Sequence, residues 1–322
     1  MEKRKVVVFL GQHEEITEDS KDALKSSDCQ LFLVRSAEEL LSNELFLSSE
    51  GLLVRGAIVD DELINKMPNL KVIARAGVGT DNIDIDSATK RKVYVCNVPD
   101  ANFNSVAEHV MGFMINLSHQ IMHGDREIKK GNFEARHHYV GSELAGKTIG
   151  VIGFGRIGQL VAHKCINGFD MNVLAYDPYV KETDIPNVRL VEDLAEIYKE
   201  ADFITLHLPY IPALHHFIDA DALEAMKDTA YIINCARGGL IDEDALVKAI
   251  NNKVIAGAAV DVYQFEPVGA DYALWEADNL IATPHTGAST HEALARMSMG
   301  AAKAIIEGLD GGRPSTALNM KE

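Results

Sequence analysis

The sequence predicts an α/β fold made of two doubly wound parallel-sheet domains with a cleft between them. Apolar runs of strand length alternate with helical patterns from the first residues onward, and the alternation starts again after one long helical stretch. Strict alternation of this kind is typical of parallel strands with helices on both faces of the sheet. At 322 residues the chain is also too long for one ordinary core and suits two domains.

Each element of the first domain is predicted from its apolar pattern. Short β-rich apolar runs predict strands, and the segments between them carry apolar residues at helical spacing. The predicted strands are residues 5–10, 30–35, 51–55, 71–76 and 93–98, and the predicted helices are residues 20–26, 37–42, 61–67 and 84–90.

A long helical pattern over residues 104–130 is interpreted as the connection into the second domain. A helix over residues 291–309 comes too late to add a strand there and is predicted to pack on the first domain. The predicted domains are therefore residues 1–101 with 289–322, and residues 102–288. In the second domain the predicted strands are residues 148–154, 172–176, 203–208, 230–236, 255–263 and 280–283, and the predicted helices are residues 190–200, 220–226 and 243–251.

A glycine turn organises the second domain. Gly153, Gly155 and Gly158 form a GxGxxG pattern between an apolar strand and a helical pattern, and Asp177 ends the next strand, nineteen positions beyond Gly158. Gly153 permits a tight turn, Gly155 lets the backbone approach a pyrophosphate, and Gly158 allows the helix to pack closely on the strand. Strand, turn, helix, strand and acid in this order predict a Rossmann-like dinucleotide-binding domain.

The two ends of this unit indicate which dinucleotide binds. The backbone amides near Arg156 and Ile157 lie at a positive helix terminus, which suits a pyrophosphate. The carboxylate of Asp177 can accept hydrogen bonds from a ribose diol and would repel a 2′-phosphate. The sequence therefore predicts NAD in preference to NADP.

Composition excludes several other classes. A net charge of −17 argues against a nucleic-acid or anionic-membrane binder. The apolar run over residues 6–10 is too short for a signal peptide, and no run approaches membrane-span length. The four scattered cysteines show no CxxC spacing, which predicts reduced, buried thiols in a cytoplasmic protein. The adjacent histidine pairs at 137–138 and 215–216 lack further ligands at metal spacing, so no metal site is predicted.

Three charged side chains follow predicted strands of the second domain: Arg237, Glu266 and His285. Because the carboxyl ends of parallel strands meet at one edge of a sheet, we expect them near the glycine turn. Hydride transfer from a hydroxy acid to a nicotinamide needs a base for the hydroxyl proton, which suits histidine with a carboxylate partner. An arginine fork suits a substrate carboxylate.

The chain resembles the D-2-hydroxyacid dehydrogenase family over nearly its whole length. The matching motifs are RAGVGTDNID over residues 75–84, the glycine turn, NCARGG over 234–239, Asp261 with Glu266-Pro267, and TPHTGA over 283–288. The resemblance implies that Arg237, Glu266 and His285 are catalytic. It also implies that the amides of Val78 and Gly79 hold the substrate carboxylate, that Asp261 contacts the nicotinamide amide, and that the rest of NAD is held by residues that include Arg156, Ile157, Asp177 and Cys235.

Within that family the chain is most similar to the phosphoglycerate dehydrogenases in their short form, without a C-terminal regulatory domain. That similarity implies oxidation of 3-phospho-D-glycerate, the first step towards serine, in a homodimer, with no feedback inhibition by serine expected. A substrate phosphate needs cations, and Arg55 and Arg75 lie at or near ends of first-domain strands. Arg136 is either a solvated surface arginine or a substrate contact made across a dimer interface.

The sequence is compatible with two other functions. A glyoxylate or hydroxypyruvate reductase of the same family would not need the cations at Arg55 and Arg75. An NAD-sensing binding protein of the corepressor type shares the fold and would show negligible turnover of any small hydroxy acid. Cys235 lies two residues before Arg237, but no base for a nucleophilic thiol can be named.

Overall fold

The computed structural model describes residues 3–320, and over this part of the chain it forms two parallel sheets flanked by helices. The strands are β1 (Arg4–Phe9), β2 (Cys29–Val34), β3 (Gly51–Val54), β4 (Val72–Arg75), β5 (Tyr94–Cys96), β6 (Thr148–Ile152), β7 (Asn172–Tyr176), β8 (Val188–Leu190), β9 (Phe203–Leu206), β10 (Tyr231–Asn234), β11 (Gly257–Val260) and β12 (Leu280–Ala282).

The helices of the same part of the chain are α1 (Glu18–Ser26), α2 (Ala37–Leu41), α3 (Glu44–Leu47), α4 (Asp61–Lys66), α5 (Ile85–Lys90), α6 (Phe103–His119), α7 (Ile121–Lys129), α8 (Arg156–Phe169), α9 (Leu194–Glu200), α10 (Ala220–Glu224), α11 (Glu243–Asn251) and α12 (His291–Leu309). Within residues 3–320 none of them combines the length and the apolar character needed to cross a membrane.

The chain divides into two units, Met1–Asn102 with Ala288–Glu322, and Phe103–Gly287. The sheet of the first unit has the strand order β2-β1-β3-β4-β5, and all its pairs are parallel. Helix α12 covers one face of it, and the close approach depends on small residues. A Cβ atom on Gly308, for example, would lie 2.8 Å from the Cβ of Val72.

The sheet of the second unit has the order β12-β11-β10-β9-β6-β7-β8, again with parallel pairs throughout. The direction of winding changes between β6 and β9, and ligands of doubly wound sheets bind outside the strand ends at that point. Two apolar clusters fill the two faces of this sheet, so the strands carry near-continuous buried runs. The predicted fold class of two parallel-sheet α/β domains is confirmed.

Some predicted elements are wrong. The single helix expected over residues 104–130 is two helices, because Gln120 adopts a left-handed backbone with φ of 53° and ends α6. At that break the Ser118 carbonyl accepts a hydrogen bond from the amide of Ser142 at 2.8 Å. Leu190, expected to begin a helix, instead pairs with Ala175 in β8. The short helix α3 was not predicted.

Candidate active site

The glycine turn follows β6 at the point where the winding of the second sheet reverses. Gly153 has φ of 91°, and a Cβ there would lie 2.6 Å from the carbonyl oxygen of His207. A Cβ on Gly158 would lie 2.2 Å from the carbonyl oxygen of Gly153, so α8 packs directly on the turn. A Cβ on Gly155 would meet nothing within 4 Å. Gly153 and Gly158 are therefore required by the packing of the turn, because a side chain there would clash with the backbone. Gly155 is not required for packing and leaves open space at the start of α8.

That open space fits the phosphates of a dinucleotide. Gly155 is the N-cap of α8 and offers no side chain to the first-turn amides, which begin at Arg156 and Ile157. Amides at the start of a helix bind anions, and the missing Cβ lets a phosphate approach them. The geometry at Gly155 therefore fits NAD.

Asp177 lies at the end of β7 and is held in place by two backbone amides. Its Oδ2 accepts a hydrogen bond from the amide of Phe154 at 2.9 Å, and its Oδ1 accepts one from Tyr179 at 2.9 Å. Each carboxylate oxygen has a second lone pair available. The carboxylate is thus fixed next to the glycine turn and can still accept bonds from a ribose diol.

His207 lies beside the glycine turn, and sequence reasoning missed it. Its amide donates to the carbonyl of Ile152 at 2.7 Å, and its Nε2 is 3.1 Å from the hydroxyl of Thr205. Burial lowers the pKa of His207 to about 3, so its imidazole stays neutral at physiological pH. His207 therefore adds no positive charge beside the glycine turn at that pH.

The structure brings His285 and Glu266 together. His285 Nδ1 lies 2.8 Å from Glu266 Oε2. His285 follows β12 in a left-handed conformation with φ of 54°, and Glu266 precedes Pro267 in the loop after β11. The other carboxylate oxygen, Oε1, accepts a hydrogen bond from the amide of Tyr263 at 3.0 Å. An ionised carboxylate only accepts hydrogen bonds, so Nδ1 of His285 carries the hydrogen and Nε2 is left as the basic nitrogen.

Several groups keep Glu266 ionised. Burial by itself pushes the pKa of its carboxyl group up. The hydrogen bond and charge of His285, the amide of Tyr263 and the charge of Arg237 outweigh burial, so the pKa of Glu266 lies below its ordinary value. The carboxylate is therefore charged at neutral pH.

This shift predicts a pH-dependent stability difference between the wild type and Glu266→Gln. A carboxyl group whose pKa is lower in the folded than in the unfolded state stabilises the fold above its unfolded pKa, about 4.3 for glutamate, and stops doing so as pH falls through its folded pKa. The thermal denaturation midpoints of the two proteins should therefore differ at pH 7 and converge as pH falls below about 4.3. Glu182→Gln, on the exposed surface of the same unit, is the control. A difference that stays constant down to acid pH would contradict the prediction.

Arg237 follows β10 and is brought next to the glutamate loop by a glycine. A Cβ on Gly238 would lie 1.8 Å from the carbonyl carbon of Tyr263, so the turn after Arg237 touches the Tyr263–Glu266 loop. Asn234 fixes the same turn: its side chain donates to the Arg237 carbonyl at 2.9 Å and accepts from the Ala236 amide at 3.0 Å. Arg237, Glu266 and His285 therefore lie at one edge of the second sheet.

Asp261 is almost fully buried, with 2% of its surface exposed, and it holds the segment that carries His285. Its Oδ1 accepts hydrogen bonds from the hydroxyl of Thr283 at 2.5 Å and from the amide of Thr286 at 2.8 Å. Its Oδ2 accepts from the amide of Gly287 at 2.7 Å. The family resemblance implied a contact of Asp261 with the nicotinamide amide, and it gave no indication of these hydrogen bonds.

The thiol of Cys235 is not poised to react. Burial, helped by the negative charge of Asp261, raises the pKa of Cys235 well above its usual range, so the thiolate is disfavoured. Its place directly after β10, beside Arg237, puts it at the same sheet edge as the glycine turn.

The predicted substrate residues of the first unit lie at the ends of its strands. Val54 pairs with Arg75, so Arg55 and Arg75 lie at neighbouring strand ends. The Arg75 guanidinium lies against Gly77, where a Cβ would come within 1.3 Å of Nη1. Among residues 3–320, no hydrogen-bond acceptor or carboxylate contacts the side chain of Arg55.

The turn after β4 presents two backbone donors. In the described part of the chain, the amides of Val78 and Gly79 have no hydrogen-bond acceptor. The side chain of Asn97 fixes this turn by donating to the Val78 carbonyl at 2.7 Å. Two adjacent free amides beside Arg75 form a site that fits a carboxylate.

Arg136 lies in the second unit, on the short turn of 3₁₀ helix Phe133–His137. Its side chain is exposed, with Cζ 4.6 Å above the ring centre of Phe133 and Nη2 3.8 Å from Glu134.

No group of three His, Cys, Asp or Glu side chains within residues 3–320 is arranged to hold a metal ion.

The family model for the NAD binding domain of D-isomer specific 2-hydroxyacid dehydrogenases matches residues 111–287. The chain therefore belongs to the D-2-hydroxyacid dehydrogenase family, and its second unit is an NAD-binding domain. A D-lactate dehydrogenase from Aquifex aeolicus, solved with NAD and lactic acid, has a TM-score of 0.82 and 32% identity over 95% of this chain and 96% of that one.

Among relatives of known sequence, the D-3-phosphoglycerate dehydrogenase of Methanocaldococcus jannaschii is 44% identical over 286 residues, which are 88% of this chain and 54% of that protein. A putative 2-hydroxyacid dehydrogenase of Staphylococcus epidermidis is 40% identical over 81% of this chain and 83% of its own length. The chain thus spans about half the length of the phosphoglycerate dehydrogenases it matches.

Proposed function

We propose that this protein oxidises 3-phospho-D-glycerate to 3-phosphohydroxypyruvate with NAD. The observation that carries the proposal is the 2.8 Å contact between His285 Nδ1 and Glu266 Oε2, at the sheet edge that also holds Arg237 and the glycine turn. Such a pair supplies the base that oxidation of a hydroxyl group requires.

NAD, held by the first-turn amides of α8 and by the carboxylate of Asp177, would supply the acceptor for the hydride that leaves C2 of the hydroxy acid. His285 takes the hydroxyl proton at Nε2, because Nδ1 faces Glu266. Glu266 holds the imidazole ring in place and stabilises the imidazolium that forms. Arg237 binds the substrate carboxylate and polarises the oxygen at C2. In the reverse direction His285 returns the proton as hydride adds to the oxo acid.

For the first unit, we propose that the free amides of Val78 and Gly79 bind the substrate carboxylate and that Arg55 and Arg75 bind its phosphate. The support is chemical: neighbouring strand ends in the first unit present two guanidinium groups and two free backbone donors. A dianionic phosphate suits the two guanidinium groups better than a neutral hydroxymethyl group does. The names of the relatives that match most of this chain support the same substrate.

A substrate panel tests this choice. We expect kcat/KM for 3-phosphoglycerate to exceed those for glycerate, lactate and glyoxylate by about 100-fold, which corresponds to ~2.7 kcal/mol. Arg55→Ala should lower kcat/KM for 3-phosphoglycerate by about tenfold and leave glycerate unchanged, because only the phosphate loses a partner. Lys25→Ala, which removes a surface cation of the same unit, is the control.

The outcomes of the panel separate the alternatives. A glyoxylate or hydroxypyruvate reductase would prefer the unphosphorylated acids and would be insensitive to Arg55→Ala. Negligible turnover of every acid, followed as NADH formed from the hydroxy acids and NADH consumed with glyoxylate, would favour the NAD-sensing binding protein.

We also propose a homodimer in the cytoplasm that serves serine synthesis. Four large apolar side chains are exposed within one stretch of the second unit: Ile121, Ile128, Phe133 and Val140. An apolar surface of this kind supports a subunit contact, in which Arg136 on the same stretch would take part. Light scattering that gives the mass of one chain would contradict the dimer.

The four free cysteines, three of them buried, support a reducing compartment such as the cytoplasm.

A further inference from the structure

The segment that carries His285 is held at both ends by helix α6. At one end, the hydroxyl of Ser105 donates a hydrogen bond to the carbonyl of Gly287 at 2.6 Å. At the other end, Nε2 of His109 lies 3.0 Å from the hydroxyl oxygen of Thr283. Ser105 and His109 are four residues apart and therefore lie on the same face of the helix. The catalytic histidine sits between these two attachments.

The direction of the hydrogen bond at His109 follows from its neighbours. The Thr283 hydroxyl lies 2.5 Å from Asp261 Oδ1, and the carboxylate has no hydrogen to give, so Thr283 donates to Asp261. A hydroxyl group has one hydrogen, so its oxygen can only accept from His109. Neutral His109 must then carry its hydrogen on Nε2. The result is a chain of donors that runs from His109 through Thr283 to the buried carboxylate.

The ring of His109 is itself fixed. It packs edge-on against Phe113, with the ring centres 4.5 Å apart and the planes at 71°. Only 22% of its side chain is exposed. His285, in contrast, is half exposed, and Glu266 is its side-chain hydrogen-bond partner. The place of the catalytic ring therefore depends strongly on the backbone of residues 283–287.

We propose that His109 is a positioning residue for the acid/base histidine. His109 donates a hydrogen bond to Thr283, which keeps the Thr283 hydroxyl directed at Asp261. These two hydrogen bonds fix the backbone of residues 283–287 and thereby orient His285. The inference rests on the proposed function of His285 as the acid/base. Misplacing a reacting group by about 1 Å can cost about 10²-fold in rate, so a smaller loosening should cost about tenfold.

The first test compares a variant that loses the donor with one that keeps it. His109→Phe keeps a ring and removes the hydrogen, and we expect kcat to fall about tenfold while KM for NAD stays within about twofold of the wild type. His109→Gln retains an N–H donor and should stay within about threefold of wild-type kcat. The inference is overturned if His109→Phe keeps full kcat, or if His109→Gln loses as much as His109→Phe.

Thr283 supplies a second pair of variants, which serves if His109→Phe does not fold. Thr283→Val keeps the shape and loses the hydroxyl, so kcat should fall about tenfold, whereas Thr283→Ser should restore it. The double variant His109→Phe/Thr283→Val should be no slower than the slower single variant, because both remove the same chain of donors. Losses that multiply would mean that the two residues act separately and would contradict the inference.

A measurement without substrate separates this inference from the proposed function. Nitrogen chemical shifts of the histidine rings, recorded by NMR on the full chain, report which ring nitrogen carries the hydrogen. We expect the Nε2–H form for His109 in the wild type, and a hydrogen on Nδ1 would overturn the inference. If the wild type turned over none of the acids, the proposed function would fail, but the NMR measurement of the His109 tautomer would still test the donor chain.

Discussion

Replacing His285 by alanine should lower kcat by about 10²–10⁴-fold, the range that general acid–base catalysis supplies. The substrate hydroxyl would lose the base that takes its proton as hydride leaves, and water would have to replace an imidazole that Glu266 holds in place. KM for NAD should change little, because the glycine turn and Asp177 are untouched. Steady-state rates of NADH formation with the best acid of the panel measure the effect.

The matched control is His163→Ala, which removes an exposed histidine from α8 in the same unit. It should keep wild-type kcat. A His285→Ala protein that folds, binds NAD and still shows more than about a tenth of wild-type kcat would remove His285 from the mechanism.

Replacing Arg237 by glutamine should lower kcat/KM by about 10²–10³-fold, the range seen when one charge-stabilising donor is removed from an active site. Glutamine loses both the charge and the planar fork that matches a carboxylate. Arg237→Lys keeps the charge alone and should recover only part of the loss. The positive charge of Arg237 also lowers the pKa of Glu266. Without that charge Glu266 becomes protonated at a higher pH, so the kcat/KM of the variant should start to fall at a higher pH on the acid side of its profile.

Arg189→Gln is the control for this variant, because Arg189 is half exposed and pairs with Glu196 and Glu200 on the surface. It should match the wild type in kcat/KM. Equal kcat/KM values for Arg237→Lys and the wild type would show that the fork geometry does not matter. Near-wild-type activity of Arg237→Gln would contradict the proposed role of Arg237 as the carboxylate anchor.

The parts of the fold that depend on local pattern were predictable from the sequence. The alternation of strand and helix signals gave two parallel sheets, and the GxGxxG turn with Asp177 gave the dinucleotide unit. The meeting of Glu266 and His285 was also foreseen, because the rule that parallel strands end at one sheet edge relates residues that are distant in sequence.

The parts that depend on tertiary contact were not predictable. Helix α6 ends at Gln120 although no glycine or proline stands there to indicate it. The feature that accompanies the break is a tertiary contact, the hydrogen bond from the Ser142 amide to the Ser118 carbonyl. Ser105 and His109 read as ordinary positions of an apolar helix, although they meet a segment more than 170 residues away. The apolar spacing around Leu190 fits either a helix or an edge strand. Leu190 lies in a strand because it pairs with Ala175 of β7.

The return of α12 to the first unit has a consequence for how the chain is made on the ribosome. The second unit is one continuous stretch, Phe103–Gly287, and can close its core as soon as that stretch has emerged. The first unit, although synthesised earlier, lacks the helix that covers the face around Gly51 and Val72 until Ile305 and Gly308 have been added. During synthesis the N-terminal strands therefore have one apolar face without its covering helix until α12 has been made, and only then can the first unit complete its core.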